Sequence, residues 1–304
     1  MSVEAVIKSK QFIKKPLAIQ DITMGKYAAG TLDQYMRNTC EVKAGELVVY
    51  NPNKIGRGVS ISGWSSDLKN EISIVANSFS TKYDYEMFYD IIGNIMRVWK
   101  TKSFEQEGIK YTDADLEKLC LDQQTNGIGL MADIEKIVNS EDGEDLTFFS
   151  ALLPLNIKIN KISKFGKEKD LEGYANYLHE LQAIDAYYAV PLYYGQKNKK
   201  GAYFGNYAIT SDTDTIFPVK PEIPPFFTDP STGKALQCSL YVVTLYSYAK
   251  KQVVGRLSFE DFLRLADIRN CPEFDSTHVF LKGISEERMA EMAATEHDDP
   301  LAGV

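Results

Sequence analysis

The stretch TKYDYEMFYDIIGNIMRVW, residues 81–99, decides the fold prediction for this chain. Its apolar side chains recur every three or four residues, which is the period of an amphipathic helix. Thr81 and Asp84 have the spacing of a capping box, so the helix is predicted to begin there. Because one wide apolar face must be buried against another element, we predict that this helix covers a sheet. The residues of that face are Tyr85, Phe88, Tyr89, Ile92, Ile95, Met96 and Trp99.

The chain on the N-terminal side of this helix has the pattern of a sheet. Apolar and polar residues alternate in Val59–Ser62, as in a half-buried strand. Turn residues at Asn51-Pro52 and Gly63 flank this segment, so we predict an antiparallel meander. The predicted strands are Ser2–Lys8, Leu17–Thr23, Glu46–Tyr50, Val59–Ser62 and Glu71–Ala76.

The C-terminal half repeats the mixture of strands and helices. A helix is predicted over Asp170–Gln182, and the run Leu240–Tyr246, apolar on both faces, predicts a central strand. Gly127 and Gly129 are predicted to break the helix that follows Thr112. The fold class predicted for the whole chain is α+β, with antiparallel sheets packed against helices in two consecutive sub-structures.

Residues 139–145 are the predicted linker, because they carry four acids and one glycine and no apolar side chain. They separate an N-terminal α+β region, 1–138, from a tyrosine-rich C-terminal α+β region, 146–294. Residues 295–304 lack a periodic apolar face and contain Pro300, so we predict a disordered acidic tail.

Charge and hydropathy exclude several classes of protein. The 304 residues include 34 Lys and Arg against 42 Asp and Glu, a net charge of −8, which argues against a nucleic-acid partner. No basic start precedes an apolar stretch, as a signal peptide requires. The longest uncharged run, Ala235–Ala249, is shorter than the roughly 20 residues that span a bilayer. We therefore predict a cytoplasmic protein that does not bind membranes.

Cysteine and histidine usage gives no support for a cofactor. The four cysteines lie far apart without a C-x-x-C pair, so we expect reduced thiols rather than disulfides or a zinc site. Phosphate-binding and dinucleotide-binding glycine motifs are absent from the sequence. Cys271 and His278 could form a nucleophile and base, although no family signature surrounds them. We predict neither a metal nor a cofactor.

One part of the chain resembles a known family. The residues concerned are Asn51-Pro52, Gly56-Arg57-Gly58-Val59, Phe88-Tyr89 and Lys100-Thr-Lys-Ser-Phe104. Over residues 45–110 the chain is similar to a bacterial family of uncharacterised proteins, a domain of unknown function. The resemblance implies a bacterial cytosolic protein and supplies no catalytic residue.

Two short motifs are candidate sites. Gly56-Arg57-Gly58 could present backbone amides and a guanidinium to a phosphate, or it could be a glycine turn with a solvated arginine. Asp212-Thr213-Asp214 has the D-x-D form with which some glycosyltransferases hold a divalent cation, and its residue types also suit a hairpin turn. These aspartates define the alternative function, a small-molecule enzyme that uses the carboxylates of Asp212 and Asp214.

Tyrosine is concentrated in the C-terminal half, where eleven of the eighteen tyrosines lie between Tyr174 and Tyr248. Aromatic side chains beside lysines favour a binding face, and tyrosine is also an ordinary strand residue. The absence of a catalytic motif makes a non-enzymatic protein-binding accessory, adaptor or immunity-type protein the favoured function, with a protein as its partner. The predicted binding residues are Tyr193, Tyr194, Lys197, Lys200, Tyr203, Tyr207 and Arg57.

A series of lysines precedes this region. Along an extended segment their spacing of two or three residues would form a basic edge, or it would protect an edge strand from aggregation. The lysines are Lys158, Lys161, Lys164, Lys167 and Lys169.

Overall fold

The computed structural model describes residues 2–9, 17–64, 71–138, 144–196, 202–221, 223, 227–229, 232–295 and 300–301. The fold is α+β, as predicted. The chain divides into two compact units, Met1–Ala183 and Ile184–Val304. This division lies after the predicted linker, because the elements between 144 and 183 pack within the first unit. Most of 139–145 and of 295–304 lies outside the described residues, so the predicted linker and disordered tail stay predictions.

The first unit contains nine strands and five α-helices in its described residues. The strands are β1 (Val3–Lys8), β2 (Ala28–Gly30), β3 (Leu47–Tyr50), β4 (Val59–Ser62), β5 (Glu71–Ala76), β6 (Phe104–Gln106), β7 (Ile109–Tyr111), β8 (Asp145–Phe149) and β9 (Pro154–Lys158). The α-helices are α1 (Ile19–Thr23), α2 (Lys82–Val98), α3 (Leu116–Ile137), α4 (Ile159–Glu168) and α5 (Leu171–Gln182), and a 3₁₀ turn covers Asp113–Asp115.

Strands β1 to β7 form one antiparallel sheet in the order β2-β3-β4-β5-β1-β6-β7. Ile61 of β4 lies opposite Ile74 of β5 and Leu47 of β3. All three side chains are fully buried, as the alternation in Val59–Ser62 predicts. The predicted meander is therefore confirmed for β3 to β5, to which the structure adds β2, and β8 pairs with β9 in a separate hairpin.

Helix α2 covers this sheet, as predicted from its apolar face. Thr81 Oγ1 accepts from the Asp84 amide, and the Asp84 carboxylate accepts from the Thr81 amide, so the capping box is present. Phe88, Ile92 and Ile95 are fully buried in the same core as the sheet. Complete burial of each such side chain stabilises the fold by about 1.5–3 kcal/mol.

Two local predictions in this unit are wrong. Leu17–Thr23 is not a strand, because Ile19–Thr23 forms α1, whose first turn is closed by a 2.9 Å hydrogen bond from the Ala18 amide to Asp21. Helix α3 also continues through Gly127 and Gly129 without a break. Each glycine lowers the stability of a helix by about 1 kcal/mol relative to alanine, and packing against neighbouring helices offsets this loss.

The lysine series is helical rather than extended. Helix α4 begins at Ile159, and its buried residues Ile159, Ile162 and Gly166 recur every three or four positions. Gly166 lies so close to α3 that an added Cβ would stand 2.2 Å from the Ala132 nitrogen. The predicted basic edge strand is therefore wrong beyond Lys158, because the buried residues that follow recur with the spacing of a helix.

The second unit contains seven strands and two α-helices in its described residues. The strands are β10 (Tyr187–Tyr188), β11 (Leu192–Gly195), β12 (Tyr203–Thr210), β13 (Thr215–Pro218), β14 (Cys238–Ser247), β15 (Gln252–Ser258) and β16 (His278–Leu281). The helices are α6 (Phe259–Leu265) and α7 (Glu286–Ala294), and a 3₁₀ turn covers Ile268–Asn270.

Its larger sheet has the order β11-β12-β14-β15. The outer pairs are antiparallel and the central pair, β12 with β14, is parallel. The strand predicted over Leu240–Tyr246 is therefore central, as expected. A second sheet has the order β10-β13-β16. Phe217 and Phe262 are fully buried in the core of this unit, with ring centroids 4.8 Å apart.

Candidate functional site

The predicted tyrosine face lies on β11 and β12 but does not form a single surface. Tyr193 is paired with Gly205, and Tyr194 with Phe204. Because successive side chains of a strand point to opposite faces, Tyr193 and Tyr194 lie on opposite sides of the sheet. The same alternation places Tyr203 and Tyr207 on the side of Tyr193.

The side that carries Tyr193 is largely interior. Tyr207 is 1% exposed, and its ring centroid lies 5.4 Å from that of Phe217. Tyr193 packs 5.2 Å from Phe227 and forms a hydrogen bond with Tyr241. Tyr207 is thus a core residue, and the structure does not place it where a partner could contact it.

The opposite side presents a patch that we call the β11 patch, formed by Leu192, Tyr194 and Phe204. The rings of Tyr194 and Phe204 stack with centroids 5.4 Å apart and an interplanar angle of 26°. Tyr194 is 46% exposed and Leu192 is 48% exposed. Since β11 is an edge strand of its sheet, two large apolar side chains are presented at an edge.

The remaining predicted residues of this region contribute differently. Tyr203 is partly buried and hydrogen-bonded to Asp229. Burial is the largest cause that raises the pKa of its hydroxyl, and the charge of Asp229 and the hydrogen bond to it add to the rise. Lys197 and Lys200 lie outside the described residues. The structure therefore brings Tyr194 to the surface together with two residues, Leu192 and Phe204, that sequence reasoning did not select. The i, i+2 spacing of Leu192 and Tyr194 was the signal that could have found them.

Arg57 lies in the interior of the first unit. Its guanidinium stands 4.6 Å from the centroid of the Phe148 ring and donates to the carbonyl oxygens of Ser78 and Phe149. The residue is 9% exposed, and burial lowers the pKa of the guanidinium. The alternative of a solvated arginine is wrong, because an aromatic ring and two carbonyl groups surround this side chain.

The loop Gly56-Arg57-Gly58 does bind an anion, and that anion is the carboxylate of Asp84. Asp84 Oδ2 accepts from the Arg57 amide and Oδ1 from the Gly58 amide, both at 2.9 Å. A Cβ on Gly56 would lie 2.3 Å from Asp84 Oδ2, and Gly58 has a φ of +71°. The two glycines are thus required by a close approach and by a left-handed backbone. Burial raises the pKa of Asp84, and these hydrogen bonds oppose that rise.

The D-x-D pair of the alternative function is a turn. Asp214 accepts from Lys282 Nζ at 2.7 Å and from the Gly283 amide at 2.8 Å, and these bonds lower its pKa. Asp212 has a φ of +56°, in the left-handed region. Both carboxylate oxygens of Asp214 are therefore occupied by the chain's own donors. Within the described ranges, no group of three or more His, Cys, Asp or Glu is arranged to hold a metal ion.

His278 belongs to a buried polar chain that the sequence did not reveal. Its Nδ1 lies 3.0 Å from Asp275 Oδ1, and its Nε2 lies 3.1 Å from the Tyr188 hydroxyl. Cys271 is directed elsewhere and donates to the Asp267 carbonyl at 3.8 Å. All members of the chain are at most 8% exposed, so it stabilises the interior and the Cys271–His278 pair does not form.

The fold and these clusters define an α+β protein with a partly exposed aromatic edge patch and two buried polar clusters. A family model described as "Domain of unknown function (DUF4299)" matches residues 2–292, so the chain belongs to that family. This result confirms the resemblance predicted from residues 45–110 and extends it over nearly the whole chain. Comparisons with curated proteins and with solved structures gave no significant match. None of the described helices is both long enough and apolar enough to cross a bilayer.

Proposed function

We propose that this chain is a cytoplasmic, non-enzymatic accessory or adaptor protein that binds a protein partner through the β11 patch. The observation that carries the proposal is the stacked pair of Tyr194 and Phe204 beside Leu192 on an edge strand. We also propose a bacterial setting, which the resemblance noted over residues 45–110 supports. The cytoplasmic setting is supported by the four unpaired cysteines.

The composition of the patch suits a protein interface. Tyrosine and phenylalanine are enriched in interface cores, where they bury a large area at a low entropy cost. Exposed apolar side chains on an edge strand promote aggregation unless something covers them. A partner seated on Leu192 and Tyr194 would cover them.

The alternative enzyme is less well supported. A divalent cation at Asp214 would have to displace Lys282 and break the hydrogen bond from Gly283. Asp212 and Asp214 therefore already have a structural role in a turn.

The test compares two exposed tyrosines of the same unit. Tagged protein carrying Tyr194→Ala or Leu192→Ser is purified from its own cells, and co-purifying proteins are quantified by mass spectrometry. The control is Tyr248→Ala, because Tyr248 is 73% exposed and lies outside the β11 patch. The dissociation constant of the captured partner is then measured with purified components.

Loss of an interface tyrosine typically weakens binding by about tenfold or more. We expect that loss for Tyr194→Ala, a similar loss for Leu192→Ser, and no change for Tyr248→Ala. Equal binding by folded Tyr194→Ala and the unmodified protein would refute the proposal.

A further inference from the structure

A second surface, in the first unit, is separate from the β11 patch and combines a groove with negative charge. A groove of about 380 Å³ runs between α2 and the first turns of α3. Its walls combine carboxylates with leucines and one thiol. The lining residues used below are Glu86, Asp90, Leu116, Glu117, Cys120 and Leu121.

The carboxylates of this groove are incompletely neutralised. Asp90 accepts from Lys26 Nζ at 2.6 Å and from the Tyr27 hydroxyl at 2.7 Å. The side chains of Glu86 and Glu117 form no ion pair or hydrogen bond with any described residue. Lys82, the nearest cation to Glu86 on its own helix, is paired with Glu172 at 2.6 Å. Partial burial raises the pKa of Glu86, the charge of Lys82 opposes that rise, and the charges of Asp90 and Glu172 add to it.

The apolar part of the groove is exposed between these charges. Leu121 is 58% exposed on α3, although it is a large aliphatic residue. Leu116 is partly buried beside α2, where a Cβ on Gly93 would lie 3.1 Å from its Cδ1. The result is an apolar strip on the first turns of α3 with an unpaired glutamate on each helix.

We infer that this groove binds a basic amphipathic helix of a partner protein. A cleft between two helices accepts a third helix by ridge-into-groove packing, and its apolar side chains would contact Leu116 and Leu121. Lysine or arginine at i, i+4 positions of that helix would pair with Glu86 and Glu117. The charge complementarity excludes an acidic partner at the same place, since a carboxylate there would be repelled.

This inference is independent of the proposed function, because the two surfaces lie in different units.

The test uses a defined probe rather than an unknown partner. An 18-residue peptide of leucine and lysine, patterned as an amphipathic helix and carrying a fluorophore, is titrated with the full-length protein. The counter-probe has glutamate in place of lysine. Fluorescence anisotropy gives the dissociation constant of each peptide.

Two double variants distinguish binding of the lysine peptide at the groove from its general attraction to a protein of net negative charge. Glu86→Gln with Glu117→Gln removes two charges from the groove. Glu260→Gln with Glu287→Gln removes two exposed charges from the other unit. We expect the groove variant to weaken binding of the lysine peptide at least fivefold and the matched control to change it less than twofold. Leu121→Ser should weaken binding to a similar extent as the groove variant.

Alkylation of the native cysteines reports the position of the peptide. Cys120 lines the groove, whereas the exposed Cys40 lies outside it. Bound lysine peptide should slow alkylation of Cys120 at least threefold and leave Cys40 unchanged, as measured by mass spectrometry. Tyr194→Ala should bind the peptide normally, so failure here and failure of the proposed function are distinguishable. The inference is overturned if the lysine peptide does not bind, if the glutamate peptide binds equally well, or if both double variants behave alike.

Discussion

The carboxylate of Asp84 lies 2.9 Å from the backbone nitrogen of Arg57 and accepts its hydrogen bond. The same carboxylate accepts from Gly58 and caps α2 through Thr81. One buried anion therefore holds the loop before β4 against the first turn of the helix that covers the sheet. Its removal would leave buried amides without an acceptor.

We expect Asp84→Ala to lower the free energy of unfolding by about 3 kcal/mol or more, because the buried amides of Arg57 and Gly58 lose their acceptor. Urea denaturation measures the change. Asp115→Ala is the matched control, because Asp115 completes the same Thr-x-x-Asp capping box with Thr112 at an exposed position. The loss for Asp115→Ala should be clearly smaller. Equal losses would show that capping alone accounts for the effect of Asp84.

Two helical glycines should respond in opposite directions to alanine. A Cβ on Gly129 would contact nothing within 4 Å, so Gly129→Ala should stabilise the protein by about 0.5–1 kcal/mol through helix propensity. A Cβ on Gly166 would lie 2.2 Å from the Ala132 nitrogen, so Gly166→Ala should destabilise it by about 1–3 kcal/mol. Thermal denaturation of both variants checks this. A rise in melting temperature for Gly166→Ala would contradict the close contact of α3 with α4.

Alanine variants of the tyrosines of β11 and β12 should differ in stability according to the side of the sheet on which the tyrosine lies. Tyr207→Ala should cost about 3–5 kcal/mol, because the ring is buried against Phe217 and Phe259. Tyr194→Ala should cost less than about 1 kcal/mol, because nearly half of that side chain is exposed. Urea denaturation of the two variants provides the comparison, with Tyr248→Ala as a neutral reference. Similar losses for Tyr207 and Tyr194 would argue against the described register of β11 and β12.

The stability contributed by Glu172 should depend on pH. Hydrogen bonds from Lys82, Lys54 and Tyr83 lower its pKa from an ordinary 4.5 to about 2. A carboxyl with a lowered folded-state pKa stabilises the fold above its unfolded-state pKa and loses that contribution as pH falls. The stability difference between the unmodified protein and Glu172→Gln should therefore be constant from about pH 7 to pH 5 and shrink between about pH 4.5 and pH 2.

Urea denaturation at each pH measures that difference. Added salt should reduce it at neutral pH, because the Glu172 side chain is 45% exposed. A difference that stays constant down to about pH 3 would contradict the lowered pKa.

Much of the fold could be predicted where periodicity and burial agree. The face of α2, the strand Val59–Ser62 and the central strand over Leu240–Tyr246 all follow from local patterns. The wrong predictions occur where tertiary packing overrides local preference. Gly127 and Gly129 lower helix propensity, yet α3 continues because its other residues pack against neighbouring helices. The lysines after Lys158 suggested an edge, but Ile159 and Ile162 set the period of a helix.

The candidate site was less predictable, because it depends on which partner each residue meets. The sequence selected both Tyr194 and Tyr207 as binding residues and could not show that Tyr194 is exposed and Tyr207 interior, since tyrosine suits either position. For Gly56-Arg57-Gly58 the sequence offered a phosphate site or a glycine turn with a solvated arginine, whereas the structure shows the backbone amides of Arg57 and Gly58 bound to the carboxylate of Asp84. Asp84, which provides that carboxylate, lies far from the loop in the sequence, and no local pattern links the two.

The parallel pairing of β12 with β14 has a consequence for the order in which the second unit assembles. Strands β11 and β12, and strands β14 and β15, are joined by short connections and form local pairs. Residues 211–237 must first be closed into a loop before Asn206 can lie beside Val242. Loop-closure entropy opposes that step until the pairing is made, so we expect the two local pairs to form first and their docking to limit the refolding rate. Until that docking occurs, the unpaired sides of β12 and β14 would be open to other chains, and we expect aggregation to compete with refolding at this step.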